Sequence, residues 1–184
     1  AEIDSDNDYF FIIDEINRGN LSKIFGELFM LIETDKREKV KLQLLYSDEK
    51  FSVPNNIYII GMMNTADRSL AMLDYALRRR FAFYEMKPGF ESEKFIKYRM
   101  NLNNPKFDRL INTVESLNTA IASDDALGDG FKIGHSYFCN IKEITDARLS
   151  NIVEYELIPM LKEYWFDEPA KVKDWSNLLR SAIK

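Results

Sequence analysis

Apolar residues fall into two regimes along the chain: short continuous runs in the first half and helical-period stripes in the second. Residues 10–13, "FFII", form a run with no polar interruption, the pattern of a strand buried on both faces and hence of a parallel sheet covered by helices. Residues 57–63, "IYIIGMM", repeat it. Between the two runs Leu21, Ile24, Phe25, Leu28 and Ile32 recur at helical spacing behind Asn20, a side chain suited to an N-cap. The spacing predicts an amphipathic helix over 21–33 and, with the flanking strands, one βαβ unit. The return to the second strand is interrupted by "KVKLQLLYSDEKFSVPNN", whose strand-like runs at 40–46 and 50–53 flank Ser47 and Asp48 and predict an inserted hairpin. Leu70, Leu73, Ala76 and Leu77 mark a short helix, and "FAFYEM" at 81–86 a third strand.

After Pro88 and Gly89 the strand signals stop. Helices are expected near 91–101 and 106–122. The second opens with Asn104 as cap and Pro105 at its first position, and carries Phe107, Leu110, Ile111, Val114, Leu117 and Ile121 on one face. A glycine-punctuated loop, "LGDGFKIG", follows. Leu149, Ile152, Val153, Leu157, Leu161 and Tyr164 line a further helix that Pro159 should kink, and Pro169 opens a last one carrying Val172, Trp175, Leu178 and Leu179. The expected architecture is therefore α/β over 1–88 followed by an all-helical part over 89–184.

Composition narrows the function classes. With 46% apolar and 13% aromatic residues, 184 residues suffice for a real core. No apolar run approaches the ~20 residues of a membrane span. The opening "AEIDSDND" carries four acids and no base, unlike a signal or transit peptide, so the cytosol is the expected locale. One cysteine, Cys139, precludes an internal disulfide, and one histidine, His135, argues against structural zinc. A net charge of −5 without a basic block argues against a nucleic-acid surface in these residues.

Chemistry concentrates where the strands end. "FFIIDEINRGN" places Asp14 and Glu15 directly after an apolar run. At the carboxyl end of a parallel strand, an Asp can hold Mg²⁺ on nucleotide phosphates and the next Glu can polarise the water that attacks the γ-phosphate. The same pattern also arises where a strand simply ends in solvated acids. The second strand ends "GMMNTADRS", where Asn64 can orient a water without adding charge, or merely form a turn, and where Asp67 or Ser69 can cap the next helix. "ALRRRF" places Arg78, Arg79 and Arg80 at the end of that helix. They suit a helix C-terminus, or one or two of them reach a neighbouring subunit's γ-phosphate as arginine fingers.

With these residues in view, "IIDEINRGNLSKIFGELFMLIE", "YIIGMMNTADRSLAMLDYALRRRF" and "GFKIGHSYF" resemble the AAA+ domain of McrB-type GTPases, the motor subunits of modified-cytosine-dependent restriction systems. The likeness spans most of residues 9–180. It implies a partial AAA+ sheet, from the Walker B strand onward, followed by a helical lid from about residue 89. It implies Asp14 on Mg²⁺, Glu15 as the catalytic glutamate, Asn64 as sensor 1, Asp67 and Arg68 in the family's signature loop, and Arg79 and Arg80 in the arginine-finger box. It further implies GTP, with ATP as the alternative, a hexameric ring, an McrC-type endonuclease partner, and DNA recognition by a separate N-terminal domain. Where AAA+ proteins place sensor 2, this chain has His135 and Ser136 instead of an arginine.

The phosphate-binding loop GxxxxGK[ST] is absent from these residues, since no glycine in them is followed by lysine. The expectation is a C-terminal part of a longer protein, inactive alone, with unpaired strand edges where a central strand is missing. The competing expectation is a non-catalytic AAA+ remnant acting as an assembly module.

Overall fold

The structure, a computed structural model, describes residues 1, 4–45, 47–64, 66, 75–141 and 143–184. It divides into two compact units, Ala1–Glu85 and Met86–Lys184.

In the first unit, strands β1 (Tyr9–Ile13) and β4 (Ile57–Gly61) run parallel in the register Tyr9↔Ile57 to Ile13↔Gly61. Alternation divides their side chains between two faces. Phe10 and Ile12 share one face with Tyr58 and Ile60, and the Phe10 and Tyr58 rings stack with centroids 5.4 Å apart. On the other face Phe11, Ile13, Ile57 and Ile59, with Phe29 and Phe81, line an apolar cavity of about 390 Å³. The expectation of strands buried on both faces is not met: Phe10, Phe11 and Ile12 are 63%, 56% and 59% exposed. A two-stranded ribbon has too little surface around it to cover two apolar faces.

The helix expected over 21–33 breaks in two. Asn20 caps α1 (Leu21–Phe25), its Oδ1 accepting from Lys23 N–H at 3.0 Å, but Gly26 then takes a φ of +51° and Gly26–Ile32 continues as a 3-10 helix. The tighter winding changes which residues face inward. Phe29 and Leu31 are buried, while Ile24, on the predicted apolar stripe, is exposed. The inserted hairpin is present but short: β2 (Leu42–Gln43) pairs antiparallel with β3 (Lys50–Phe51). Its turn is closed by Leu44 N–H to the Glu49 carbonyl at 2.8 Å and holds Asp48 at a φ of +55°.

Helix α2 spans Tyr75–Arg80. Leu70 and Leu73, which the sequence assigned to the same helix, lie outside the described residues. The third strand expected at 81–86 does not form: the segment has no strand structure, and Phe83, Tyr84 and Met86 are exposed. A strand exists only against a partner that takes its N–H and C=O groups, and this segment pairs with none of the described strands.

The second unit is a helical bundle around one core. Ser92 caps α3 (Glu93–Leu102) by accepting from Phe95 N–H, and Asn104 caps α4 (Pro105–Ala122) by accepting from Lys106 and Phe107 N–H, both at 3.0 Å. All six residues of the predicted α4 face are fully buried, against Phe138, Leu149, Leu157, Leu161, Trp165 and Leu179. Pro159 is accommodated without breaking its rod. α5 (Asp146–Asn151) passes into a π-helical stretch, Ile152–Leu157, and then α6 (Ile158–Tyr164), with Ile158 N–H reaching back five residues to the Val153 carbonyl. Widening the turn just before the proline gives its ring room where an α turn would clash. α7 (Pro169–Ala182) buries Val172 and Leu179 but leaves Leu178 exposed.

Candidate active site

Both parallel strands of the first unit end on the same side, and their ends are stitched together. Met62 N–H donates to the Ile13 carbonyl at 2.8 Å, and Ile16 N–H donates to the Met62 carbonyl at 2.9 Å. The chain then turns tightly, with Arg18 N–H on the Glu15 carbonyl at 2.9 Å. This turn carries the paired acids. Asp14 is exposed, and its Oδ1 accepts from Glu15 N–H at 2.9 Å. Glu15 has a φ of +52°, a left-handed conformation that costs a side-chain-bearing residue about 1–2 kcal/mol. Such a conformation persists only where the surroundings impose it.

Of the two readings of this pattern, a strand ending in solvated acids describes Asp14 and does not describe Glu15. Glu15 is half-buried, and its Oε2 is out of contact with solvent. Arg18 Nε lies 3.4 Å from that oxygen, within ion-pair range but outside hydrogen-bond geometry. Positive charge therefore compensates Glu15 from within its own turn.

Asn64 follows β4 at the same end. Its backbone carbonyl accepts from Asn17 Nδ2 at 3.4 Å, and its Oδ1 accepts from Ala66 N–H at 3.0 Å. The Asp14–Glu15 turn and Asn64 are thus brought together. Asp67 and Arg68 lie outside the described residues.

The arginines at the end of α2 diverge, as helical positions must. Arg78 and Arg79 are exposed. Arg80 turns back into its own unit, where its Nη2 pairs with Glu33 Oε1 at 2.7 Å and its guanidinium lies 4.8 Å from the centre of the Phe29 ring. Glu33 sits just past the 3-10 helix, so the break at Gly26 helps to place the carboxylate that holds Arg80.

In the second unit, His135 Nδ1 accepts from Gly89 N–H at 3.0 Å, and the imidazole packs edge-on against Phe90 and Phe95. A Cβ at Gly89 would lie 2.9 Å from the His135 ring, so the pair requires glycine. Ser136 is exposed.

The acids fit a hydrated Mg²⁺ and not a closed protein cage. Among the described residues no three His, Cys, Asp or Glu side chains gather to hold a metal. Yet Glu15 Oε2 and Asn17 Oδ1 are buried acceptors with no hydrogen bond among the described residues, beside an exposed Asp14. One carboxylate plus acceptors for ordered water is the donor set that Mg²⁺ uses when it is shared with phosphates.

Sequence reasoning missed Asn17, Arg18 and Glu33. The first two stand inside "DEINRGN", and their polarity within a turn was the available signal.

A strand-end pair of acids, a polar residue at the end of the adjacent parallel strand and a separate helical unit are the features an AAA domain with a helical lid would present. Family comparison agrees: residues 6–81 match the AAA domain (dynein-related subfamily), and residues 109–173 match the McrB alpha-helical lid domain. The chain is an McrB-type member of the AAA+ proteins. It is 50% identical to the type IV methyl-directed restriction enzyme EcoKMcrB subunit of Escherichia coli (strain K12), over an alignment covering 93% of this chain and 40% of that protein. It is 30% identical to the type II restriction enzyme BsuMI component YdiS of Bacillus subtilis (strain 168), covering 48% of this chain and 29% of that protein. The chain thus spans less than half the length of either relative. No helix among the described residues is long and apolar enough to cross a membrane.

Proposed function

We propose that the chain is the C-terminal part of a nucleoside triphosphatase that hydrolyses GTP, with ATP as the alternative, to drive a cytoplasmic restriction complex acting on modified DNA. The observation that carries this reading is the meeting of the Asp14–Glu15 turn with Asn64 at one end of two parallel strands. Residues 1–88 belong to the nucleotide-binding subdomain and 89–184 to its lid. The names of both relatives describe restriction enzymes. By the same likeness the partners are further copies of the protein in a hexameric ring, an McrC-type endonuclease, and DNA held by a separate N-terminal domain.

In this reading Asp14, exposed at the strand end, holds Mg²⁺, which when bound offsets the phosphate charge. Glu15 takes the proton of the attacking water. Leaving Arg18 is the step that frees its carboxylate. Ala66 N–H occupies the oxygen of the Asn64 amide, so Nδ2, on the opposite side of that amide, is the donor that orients the water or a γ-phosphate oxygen. Asp67 and Arg68 belong to the signature loop around this site. Arg79 and Arg80 serve the neighbouring subunit's phosphates. Arg79 is already exposed, whereas Arg80 must first leave Glu33.

Without a GxxxxGK[ST] loop nothing in these 184 residues cradles the β- and γ-phosphates, so the chain alone is expected to be inactive. That absence also favours a second reading for the isolated chain, a non-catalytic assembly module. The test is steady-state turnover of the full-length protein with GTP against ATP. Glu15→Gln is expected to retain nucleotide binding and lose at least ~100-fold in turnover, the scale of a positioned base. Near-normal turnover would remove Glu15 from the role of base.

A further inference from the structure

We propose that Asn17 is a positioning residue for hydrolysis, tying the turn that carries Glu15 to the Asn64 end of β4. The inference rests on the hydrolytic reading above and adds to it a residue to which the proposed roles assign nothing.

The Asn17 side chain hydrogen bonds across from this turn to Asn64. Its two side-chain atoms are used unequally. Nδ2 donates to the Asn64 carbonyl at 3.4 Å, while Oδ1 is buried and has no hydrogen bond among the described residues. Glu15 Oε2, two residues earlier in the same turn, is likewise a buried acceptor without one. A side chain selected for stability alone would not leave an amide oxygen buried and unsatisfied, because desolvating it is costly. The backbone carries the same signature, since Glu15 occupies a left-handed φ that the turn must enforce.

The clamp acts on the Asn64 side chain through the Asn64 backbone. Asn17 fixes the carbonyl, Ala66 N–H fixes Oδ1, and between them the direction of Nδ2 is set. Releasing the carbonyl lets the strand end shift relative to Glu15. A small displacement between a base and a water-orienting group reduces turnover without weakening nucleotide binding.

The experiment is a kinetic cycle in the full-length protein. Asn17→Ala removes the clamp, and Asn17→Asp keeps the shape of the side chain while removing the amide donor, which guards against an unfolded variant. Each is expected to lower kcat by about tenfold or more while KM stays within about threefold. Because Asn17 acts through Asn64, Asn17→Ala/Asn64→Ala should be no slower than Asn64→Ala alone. Unchanged kcat in both single variants, a KM that rises in step with the loss, or losses that multiply in the double variant would each overturn the proposal. Glu15→Gln separates the levels. If it is inactive while Asn17→Ala runs at the wild-type rate, only the role of Asn17 fails. If Glu15→Gln turns over normally, Glu15 is not the base and the role of Asn17 in positioning it fails with that assignment, whereas a wild-type full-length protein that hydrolyses neither GTP nor ATP would overturn the hydrolytic reading itself.

Discussion

Two single residues show how charge is handled differently in the two units. In the first unit, Glu15 keeps a carboxylate half-buried with one ion-pair contact of 3.4 Å, an arrangement that leaves it able to act on something else. In the second, the Asp124 side chain is only 7% exposed and fully engaged, accepting from Trp165 Nε1 at 2.8 Å, from Ala126 N–H at 2.9 Å and from the Lys171 ammonium, which also sits over the Trp165 ring. The Lys171 hydrogen bond first, and the Trp165 N–H second, hold the Asp124 carboxyl down at about 2. A lowered folded-state pKa stabilises the fold above the ordinary carboxylate value, and that stability is lost as pH falls through about 4 towards about 2. Asp124→Ala is expected to cost roughly 2 kcal/mol, or about 10 °C in the thermal midpoint of a unit this size, when followed by Trp fluorescence at pH 7. The same variant should flatten the acid limb of the stability curve. An unchanged midpoint would show the network to be decorative. Asp124 carried no sequence signal, because its side-chain partners, Trp165 and Lys171, lie 41 and 47 residues away.

At the scale of elements, legibility followed the source of each element's stability. Helix α4 was readable to the residue because its cap, its proline and its apolar face are all local, and all six predicted face positions are buried. The parallel pair was readable as strands, with the acids and Asn64 at one end, because those runs need only each other. The segment 81–86 has the same apolar look but depends on a neighbour outside itself, and it forms no strand and pairs with none of the described strands. Helix α1 stopped early for a reason that periodicity cannot register, the positive φ of Gly26. Nothing lies within 4 Å of a Cβ built there, so Gly26→Ala tests the backbone alone. It is expected to destabilise the first unit by about 1 kcal/mol in denaturant titrations. A stabilised variant would mean that the 3-10 segment straightens into the continuous helix the sequence predicted. For the arginines of α2, mixing Arg79→Ala subunits with Glu15→Gln subunits of the full-length protein should restore part of the turnover that each lacks alone. Failure to complement would move the trans role from Arg79 to Arg80.

At the scale of the whole chain, the ribbon of β1 and β4 leaves Phe10, Ile12, Tyr58 and Ile60 together on a largely exposed face. Contiguous apolar surface of this kind favours association. Sedimentation of the 184-residue chain should therefore show concentration-dependent self-association, reduced by Ile12→Lys; a monomer at all concentrations would contradict this. The two units also differ in how their chain is secured at the junction. Residues 82–87 are exposed and form no strand or helix, whereas Gly89 is fastened to His135 and Phe90 is buried. A digestive enzyme would read that contrast directly. Chymotrypsin should cut after Phe83 or Tyr84 and then stall, releasing a helical remnant whose new N-terminus lies a few residues ahead of a backbone amide already held by an imidazole.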